Sequence, residues 1–382
     1  MKLDSEAYHS MAMRRCQSLV RSDAPSRRSP TLETMNRMPD TLTIKRPDDW
    51  HLHLRDGEVL RAVLPYTTRC FARAIVMPNL HPEITTVEAA QRYRERICAA
   101  AGTQRFNPLM TLYLNDQFDA AQVKRAKASG VVYGVKLYPK GIATAGQPGV
   151  SAIERCYPAL DAMQELDLPL LVHAEVTDAS VDIFDRESAF IERTLEPLVR
   201  KFSGLRVVVE HISTREAVRF VEGASSKVAA TVTPQHMLLN RNSLFEGGLR
   251  PHHYCIPVLK REEHRLAVVA AATSGNPKFF LGTDSAPHLK RLKETACGCA
   301  GAFTANSAIA LYAQAFEQAN ALHRLEGFAS FHGADFYGLP RNEDSITLSR
   351  RPWTVPVEIP VGQGENIVPF RAGHELAWQL EE

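Results

Sequence analysis

From Thr41 onward the chain repeats two apolar patterns in turn. The first is a short, nearly unbroken run of β-branched and large apolar residues. It covers 41–45 together with 50–54, then "RAIVMPN" (73–79), "NPLMTLYL" (107–114), "VVYGVKLYP" (131–139), "LPLLVHAEV" (168–176), "LRVVVEHIS" (205–213), "KVAATVTPQH" (227–236) and "PKFFLGTDSAPH" (277–288). The second spaces its apolar residues near the helical repeat behind polar starters, as over 86–101, 118–129, 152–166, 186–203, 214–223 and 261–274. Strands that alternate with helices in this way predict an α/β fold, a (β/α)8 TIM barrel, because strands buried on both faces read as continuously apolar. A doubly wound open sheet would want a Gly-rich phosphate turn after its first strand, and none follows residue 54. A further helix is predicted over 303–325, and the Pro-rich tail from 340 is predicted to wrap the barrel.

Residues 1–38 stand apart, rich in Ser, Arg and Met and without apolar period. They predict a disordered leader or N-terminal extension ahead of a single barrel domain over 39–382. Two origins for the leader stay open. One is a targeting presequence, against which Asp4, Glu6, Asp23 and Glu33 argue; the other is a true start at Met35 or Met38.

Polar residues interrupt the strand-like runs near their C-terminal ends: His51 and His53, Asn79, Lys136, His173, His211, Asp284 and His288. In a (β/α)8 barrel that end carries the loops of the active site. Each residue alone has a bland explanation. An H-x-H pair shares one face of a strand by simple alternation. A histidine closing an apolar run is more often a hydrogen-bonded core residue, a strand-end lysine often snorkels, and Asp284 could cap a helix. Together they place five histidines, an asparagine, a lysine and an aspartate at one barrel mouth, and bound metal would offset the cost of burying them.

Composition narrows the classes of function. The chain has 382 residues, 45% of them hydrophobic, enough for a large core without a structural staple, so a metal here is catalytic rather than structural. A net charge of +2 and no basic run with interleaved aromatics exclude a general nucleic-acid surface. No stretch is long and apolar enough to span a membrane. Seven scattered cysteines do not form a disulfide framework and fit a reducing compartment. "CGCAG" (297–301) offers two thiols without a partner pair, which is weak grounds for zinc. Of the other histidines, His236, His252 and His253 could line the pocket, while His264 and His323 lie in helical patterns and read as solvated.

H-x-H after strand one, Lys after strand four, His after strands five and six and Asp after strand eight resemble the amidohydrolase superfamily. "RPDDWHLHLRDG", "MPN", "VKLYP", "VHAEV", "EHIST", "TPQH", "YCIPVLKR" and "GTDSAPH" resemble, in order, the motifs of the short bacterial-type dihydroorotases, from about residue 40 to the C-terminus. The resemblance implies a metal-dependent cyclic amidohydrolase that interconverts N-carbamoyl-L-aspartate with L-dihydroorotate and water, in de novo pyrimidine synthesis. It implies two Zn2+ per subunit. His51, His53 and Asp284 would hold the more buried ion, His173 and His211 the other, and Lys136, carboxylated on its amine, would bridge them. Asp284 would serve a metal-activated hydroxide as general base and then the leaving nitrogen as general acid.

In the same family Arg55, Asn79 and His288 would bind the substrate carboxylate, and Thr144, Ile256 and Ala286 would contact substrate. Two adjacent threonines of a loop after strand four reach over the substrate. Here that loop reads "KGIATAGQPGV", with Thr144 as the second and Ala143 in place of the first. The resemblance also implies a cytoplasmic homodimer with a small-molecule substrate and no nucleic-acid or membrane partner. The nearest rival is a hydantoinase or allantoinase, but Arg55, Asn79 and His288 suit an acid-bearing ring. A barrel that had become a non-catalytic scaffold would be expected to lose metal ligands, and all of them stand here.

The residues support this chemistry on their own terms. Neutral imidazoles suit zinc. A lysine ammonium beside two dications would be repelled, whereas its carbamate is an anionic bridge. Arg55 offers a carboxylate a planar, bidentate fork.

Overall fold

Three consecutive valines, Val207–Val209, make a strand buried on both faces. A strand like that must have packing on each side, and it sets the pattern for the centre of the molecule. The computed structural model describes residues 40–142 and 149–381. After β1 (Thr41–Lys45) come β2 (Asp49–Leu52), β3 (Arg73–Val76), β4 (Asn107–Tyr113), β5 (Val132–Leu137), β6 (Leu170–Val172), β7 (Val207–Val209), β8 (Val228–Val232) and β9 (Phe279–Leu281). The strands β2 to β9 lie side by side in sequence order as one eight-stranded sheet, every neighbouring pair parallel.

The seam closes just beyond β9. Leu52 bridges Ser285, the Asp284 amide donates to the His51 carbonyl at 2.9 Å, and the His53 amide donates to the Ser285 carbonyl at 3.1 Å. The buried Asp49 carboxylate holds the same seam, accepting from the Thr283 amide at 2.9 Å and its hydroxyl at 2.6 Å. The fold is the (β/α)8 barrel.

Alternation along the strands separates floor from mouth. Trp50, Ile75, Leu109, Leu171, Val208, Ala229 and Phe280, one from each of seven strands, form a single apolar cluster closed by Ala334 and Tyr337. Two residues further along three of these strands stand His173, Glu210 and Thr231, and two beyond Met77 of the same cluster stands Asn79. The polar groups thus occupy the layer above the apolar plug, toward the C-terminal ends of the strands. Gly282 belongs to this crowded layer: a Cβ there would come within 2.6 Å of the Thr231 Cβ and 3.1 Å of the His51 Cβ.

Helices pack outside the sheet in a second, larger core. Gly57–Cys70, Val87–Ala101, Ala120–Ala128 and Arg215–Gly223 each begin behind a side-chain cap, from Asp56, Thr86, Asp119 and Thr214 respectively. Asp119 and Gln122 form a full capping box. The first of these helices is not legible in the sequence, since Pro65 in its interior argues against a helix.

Three expectations need correction. Residues 41–45 do not share the first barrel strand with 50–54. They form β1, which pairs antiparallel with β10 (Ser345–Ser349), itself paired with Gln379–Leu380. The reason is burial: β1 is mostly exposed or half-buried, so it suits an outer sheet rather than a barrel wall covered on both sides. The helix expected over 303–325 starts only at Ala308, because Ala302 and Phe303 make strand-like bridges to Ser285 and Pro369. The tail is not a plain wrap either, for it contributes β10 and several two- to four-residue strands.

Candidate active site

His51 and His53 turn their Nε2 atoms toward each other at 3.3 Å, and the Asp284 Oδ1 lies 3.4 and 3.1 Å from them. The opposite ring nitrogens are already engaged. His51 Nδ1 bonds the Glu210 carboxylate at 2.7 Å, and His53 Nδ1 bonds the Asn79 side-chain oxygen at 2.8 Å. Since those acceptors require Nδ1–H, both Nε2 atoms present lone pairs. Two lone pairs and a carboxylate oxygen converging on one point repel unless a cation lies between them. Among the described residues this is the group of histidine and acid side chains whose ligand atoms converge closely enough to hold a metal.

Two further imidazoles complete the cluster. The His211 ring centroid lies 4.9 Å from that of His51 and 4.7 Å from that of His173. His173 spends Nε2 on the Glu175 carboxylate at 2.7 Å, leaving Nδ1 as its free donor atom. The outer partners Glu210, Asn79 and Glu175 therefore fix tautomer and ring orientation, as carboxylates and amides do behind metal-bound histidines. Burial and the nearby Lys136 charge hold His51 and His211 well below the usual histidine range, so both stay neutral. Burial also lowers His53.

Lys136 is fully buried, and its ammonium nitrogen has no hydrogen-bond partner. Burial lowers its pKa to about 8, against the opposing pull of Glu210 and Asp284. For Asp284 burial works toward a higher pKa, but the polar groups crowded against it, the Lys136 ammonium among them, outweigh it and hold the carboxyl at about 2. The donor set fits a metal centre: neutral imidazoles, an ionised carboxylate and an unsatisfied lysine nitrogen in one dry layer.

The backbone is bent to suit. Arg55, His211 and Asp284 have φ of 59°, 43° and 45°, in the left-handed region. Strain of this kind collects at functional sites.

A cavity of about 270 Å³ opens beside the cluster. His51, His53, Arg55, Asn79, His173, His211, Ile256, Asp284, Ala286 and His288 all line it, so the structure brings these expected residues together. Arg55 is held by the Pro287 carbonyl at 3.1 Å and by His288 Nε2 at 2.9 Å. Burial, with the Arg55 charge, depresses His288 to about 2, so it is a neutral acceptor for the guanidinium. Lys136 lies outside the lining, buried within the strand layer. Thr144 and Ala143 fall outside the described residues, as do residues 1–38.

Some expectations fail, and some residues were missed. His236 is a core residue, bonded to the Thr233 hydroxyl at 2.7 Å and the Pro257 carbonyl at 2.9 Å. His252 and His253 border a separate cavity. His264 is half-buried and accepts the Arg215 amide at 3.1 Å, whereas His323 is exposed as expected. "CGCAG" proves to be a wall of the cavity, with Tyr138 and Tyr254. Glu210 was the outstanding omission; a charge inside "VVVEHIS" was its signal. The six cysteines among the described residues are unpaired.

The fold and this site define a class: the chain belongs to the amidohydrolase family, which matches residues 48–367. A dihydroorotase of Methylobacillus flagellatus is 61% identical over 347 residues, covering 90% of this chain and all of that protein. The crystal structure of dihydroorotase from Campylobacter jejuni superposes with a TM-score of 0.83 at 35% identity, covering 91% of this chain and 100% of the other. That of the Saccharomyces cerevisiae dihydroorotase in complex with 5-fluoroorotic acid gives 0.83 at 32% identity, covering 90% and 99%. Within the amidohydrolases, the chain belongs with the dihydroorotases.

Proposed function

We propose that this protein interconverts N-carbamoyl-L-aspartate and L-dihydroorotate plus water, the ring-closing reaction of de novo pyrimidine synthesis. The observation that carries the reading is one cavity in which the His51–His53–Asp284 convergence stands beside the Arg55–His288 pair. One side suits hydrolysis of an amide, and the other suits an acid-bearing ring. The relative that binds 5-fluoroorotic acid supports a ring of that kind.

His51, His53 and Asp284 would hold one Zn2+ of a pair, and His173 and His211 the other. Lys136 would bridge them after its neutral amine adds CO2 and releases a proton, which turns an unsatisfied buried cation into an anion. Two such ions supply Lewis acidity toward the ring carbonyl and acidify a water toward neutrality.

The chain's own groups do the rest. Asp284 is ionised across the working pH range, so it can accept a proton from the attacking water. In ring opening the new C–O bond forms at the amide carbonyl, the C–N bond breaks, and Asp284 passes that proton to the leaving nitrogen. Closure runs the same transfers in reverse. Arg55 grips the substrate carboxylate, with His288 and Asn79 alongside, so the ring amide meets the histidine cluster in one orientation.

Ile256 and Ala286 line the space left for the ring, and Thr144 would reach over it. We place the catalytic domain at 39–382 behind the leader, in a cytoplasmic homodimer. Among the described residues no helix is long and apolar enough to cross a membrane.

The test is ring opening of dihydroorotate, followed optically, with and without a chelator. Chelation is expected to abolish turnover and zinc to restore it; turnover that persists in fully stripped protein contradicts the reading. Closure consumes a proton, because the linear form is a dianion and the ring a monoanion. The equilibrium ratio of ring to linear form should therefore rise roughly tenfold for each pH unit lowered between the carboxylate and ring-nitrogen ionisations.

Arg55→Met should raise KM about 30-fold or more while zinc content stays at the wild-type level, since it removes one partner of a buried charged contact. Loss of zinc without a change in KM would remove Arg55 from the clamp.

A further inference from the structure

Lys293 lies on the short helix Lys290–Lys293, is 4% exposed, and has no carboxylate partner among the described residues. Its ammonium donates instead to three backbone carbonyls: Tyr254 at 3.2 Å, Cys299 at 2.9 Å and Gly301 at 2.5 Å. All three acceptors belong to the cavity wall. Tyr254 stands on the segment after β8, and the other two on the segment after β9. One buried cation thus joins two loops that both line the substrate pocket.

The joined segment bears directly on the carboxylate clamp. Ala300, between the two carbonyls that Lys293 holds, bonds the His288 ring through its backbone. His288 in turn accepts from Arg55 at 2.9 Å. The fit is close: Gly301 has φ +137°, and a Cβ on it would fall 2.8 Å from the Ala286 Cβ and 3.1 Å from His288 Cδ2. The Gly301 amide also donates to the Tyr254 carbonyl at 2.9 Å, so the two loops are sewn together on either side of the ammonium.

We propose that Lys293 is a positioning residue for substrate binding, a latch that holds the 299–301 backbone against His288 and so sets the Arg55–His288 clamp. Among the described residues it forms no hydrogen bond with the histidine cluster or Asp284, so its removal should act on substrate affinity and spare the chemical step. The role depends on charge. A neutral amine can donate only two hydrogen bonds and pulls less strongly on three carbonyl dipoles.

The titratable groups around the ammonium are Cys255, Cys299 and Arg55; burial pushes the Cys255 thiol up to about 12, the Arg55 charge opposes that of Lys293, and His288 lies within its field. Burial, the largest influence, lowers Lys293 to about 8. A lowered lysine pKa means that the charged latch is complete below that pH and is lost as pH rises through it.

The experiment measures kcat and KM for dihydroorotate across pH in the zinc-loaded wild type and in Lys293→Met, which keeps the apolar stem. The expected result is a KM raised about tenfold, with kcat within about threefold and zinc content unchanged. The wild-type KM should climb above pH about 8, and that climb should be absent from the variant. A Lys293→Met enzyme with wild-type KM, or one that keeps the wild-type climb, overturns the proposal. So does a loss confined to kcat.

Should Lys293→Met fail to fold, Gly301→Ala decides the matter, since it presses the same backbone off Ala286 and His288. It should raise KM with little change in kcat, and an unchanged KM rejects the latch. The inference rests on the pocket being a dihydroorotate site. An inactive wild type defeats that reading, whereas an active wild type with an indifferent Lys293 defeats only this one.

Discussion

Asp284→Asn will purify as a folded, zinc-containing protein whose ring-opening rate is lower by about 10²–10⁴-fold, the usual contribution of a positioned acid–base group. Asparagine is the substitution of choice because Asp284 has φ 45°, a conformation that Asn tolerates and Ala resists. The amide oxygen can still face the His51 and His53 Nε2 atoms, which lie 3.4 and 3.1 Å from Oδ1 in the native carboxylate. What it cannot do is take up a proton and give it back. Circular dichroism and metal analysis should therefore match the wild type while turnover collapses. If Asp284→Asn keeps a rate within about tenfold of wild type, the proton passes through some other group.

Lys136→Met should separate stability from function in the opposite sense. The side chain is completely buried, and its nitrogen finds no partner. In protein stripped of metal and CO2 an apolar chain of similar length removes a desolvated charge. That replacement should stabilise the stripped fold, by an amount on the order of 1–4 kcal/mol if it behaves like other buried ionic groups exchanged for apolar ones. In the presence of zinc the order should reverse. The wild type should gain thermal stability from bound metal, Lys136→Met should gain much less, and its turnover should be lost by about 10³-fold or more. Thermal melts with and without zinc, read beside metal content, check both halves. A variant that binds two zinc ions as tightly as wild type would show that Lys136 is not a bridge.

His51, His53, His173, His211 and Asp284 announce themselves because a polar group at the end of an apolar strand is costly to bury without a purpose, and that cost shows in a few consecutive letters. The barrel was legible for a similar reason, since runs such as Val207–Val209 have no face to show to water. The exchange of β1 into an outer sheet was not, because five residues of mixed pattern fit either place and the partner, Ser345–Ser349, lies some three hundred residues away in sequence. Nor were the supporting groups. Glu210 reads as one more charge until it is found 2.7 Å from His51 Nδ1. "CGCAG" drew attention for its sulfur, yet its backbone carbonyls are what Lys293 uses.

The sequence by itself determined which residue types end the strands and how often strands and helices alternate, since both follow from short-range hydrophobic pattern. Tertiary structure alone decided which of those ends face each other and that Glu210, Asn79 and Glu175 fix the rings of His51, His53 and His173. It also decided how a lysine and a glycine loop shape the pocket. Those relations arise only when the seam between β2 and β9 closes, at Asp49 and Thr283, bringing 234 residues of separation down to one hydrogen bond. No local pattern encodes a distance of that kind.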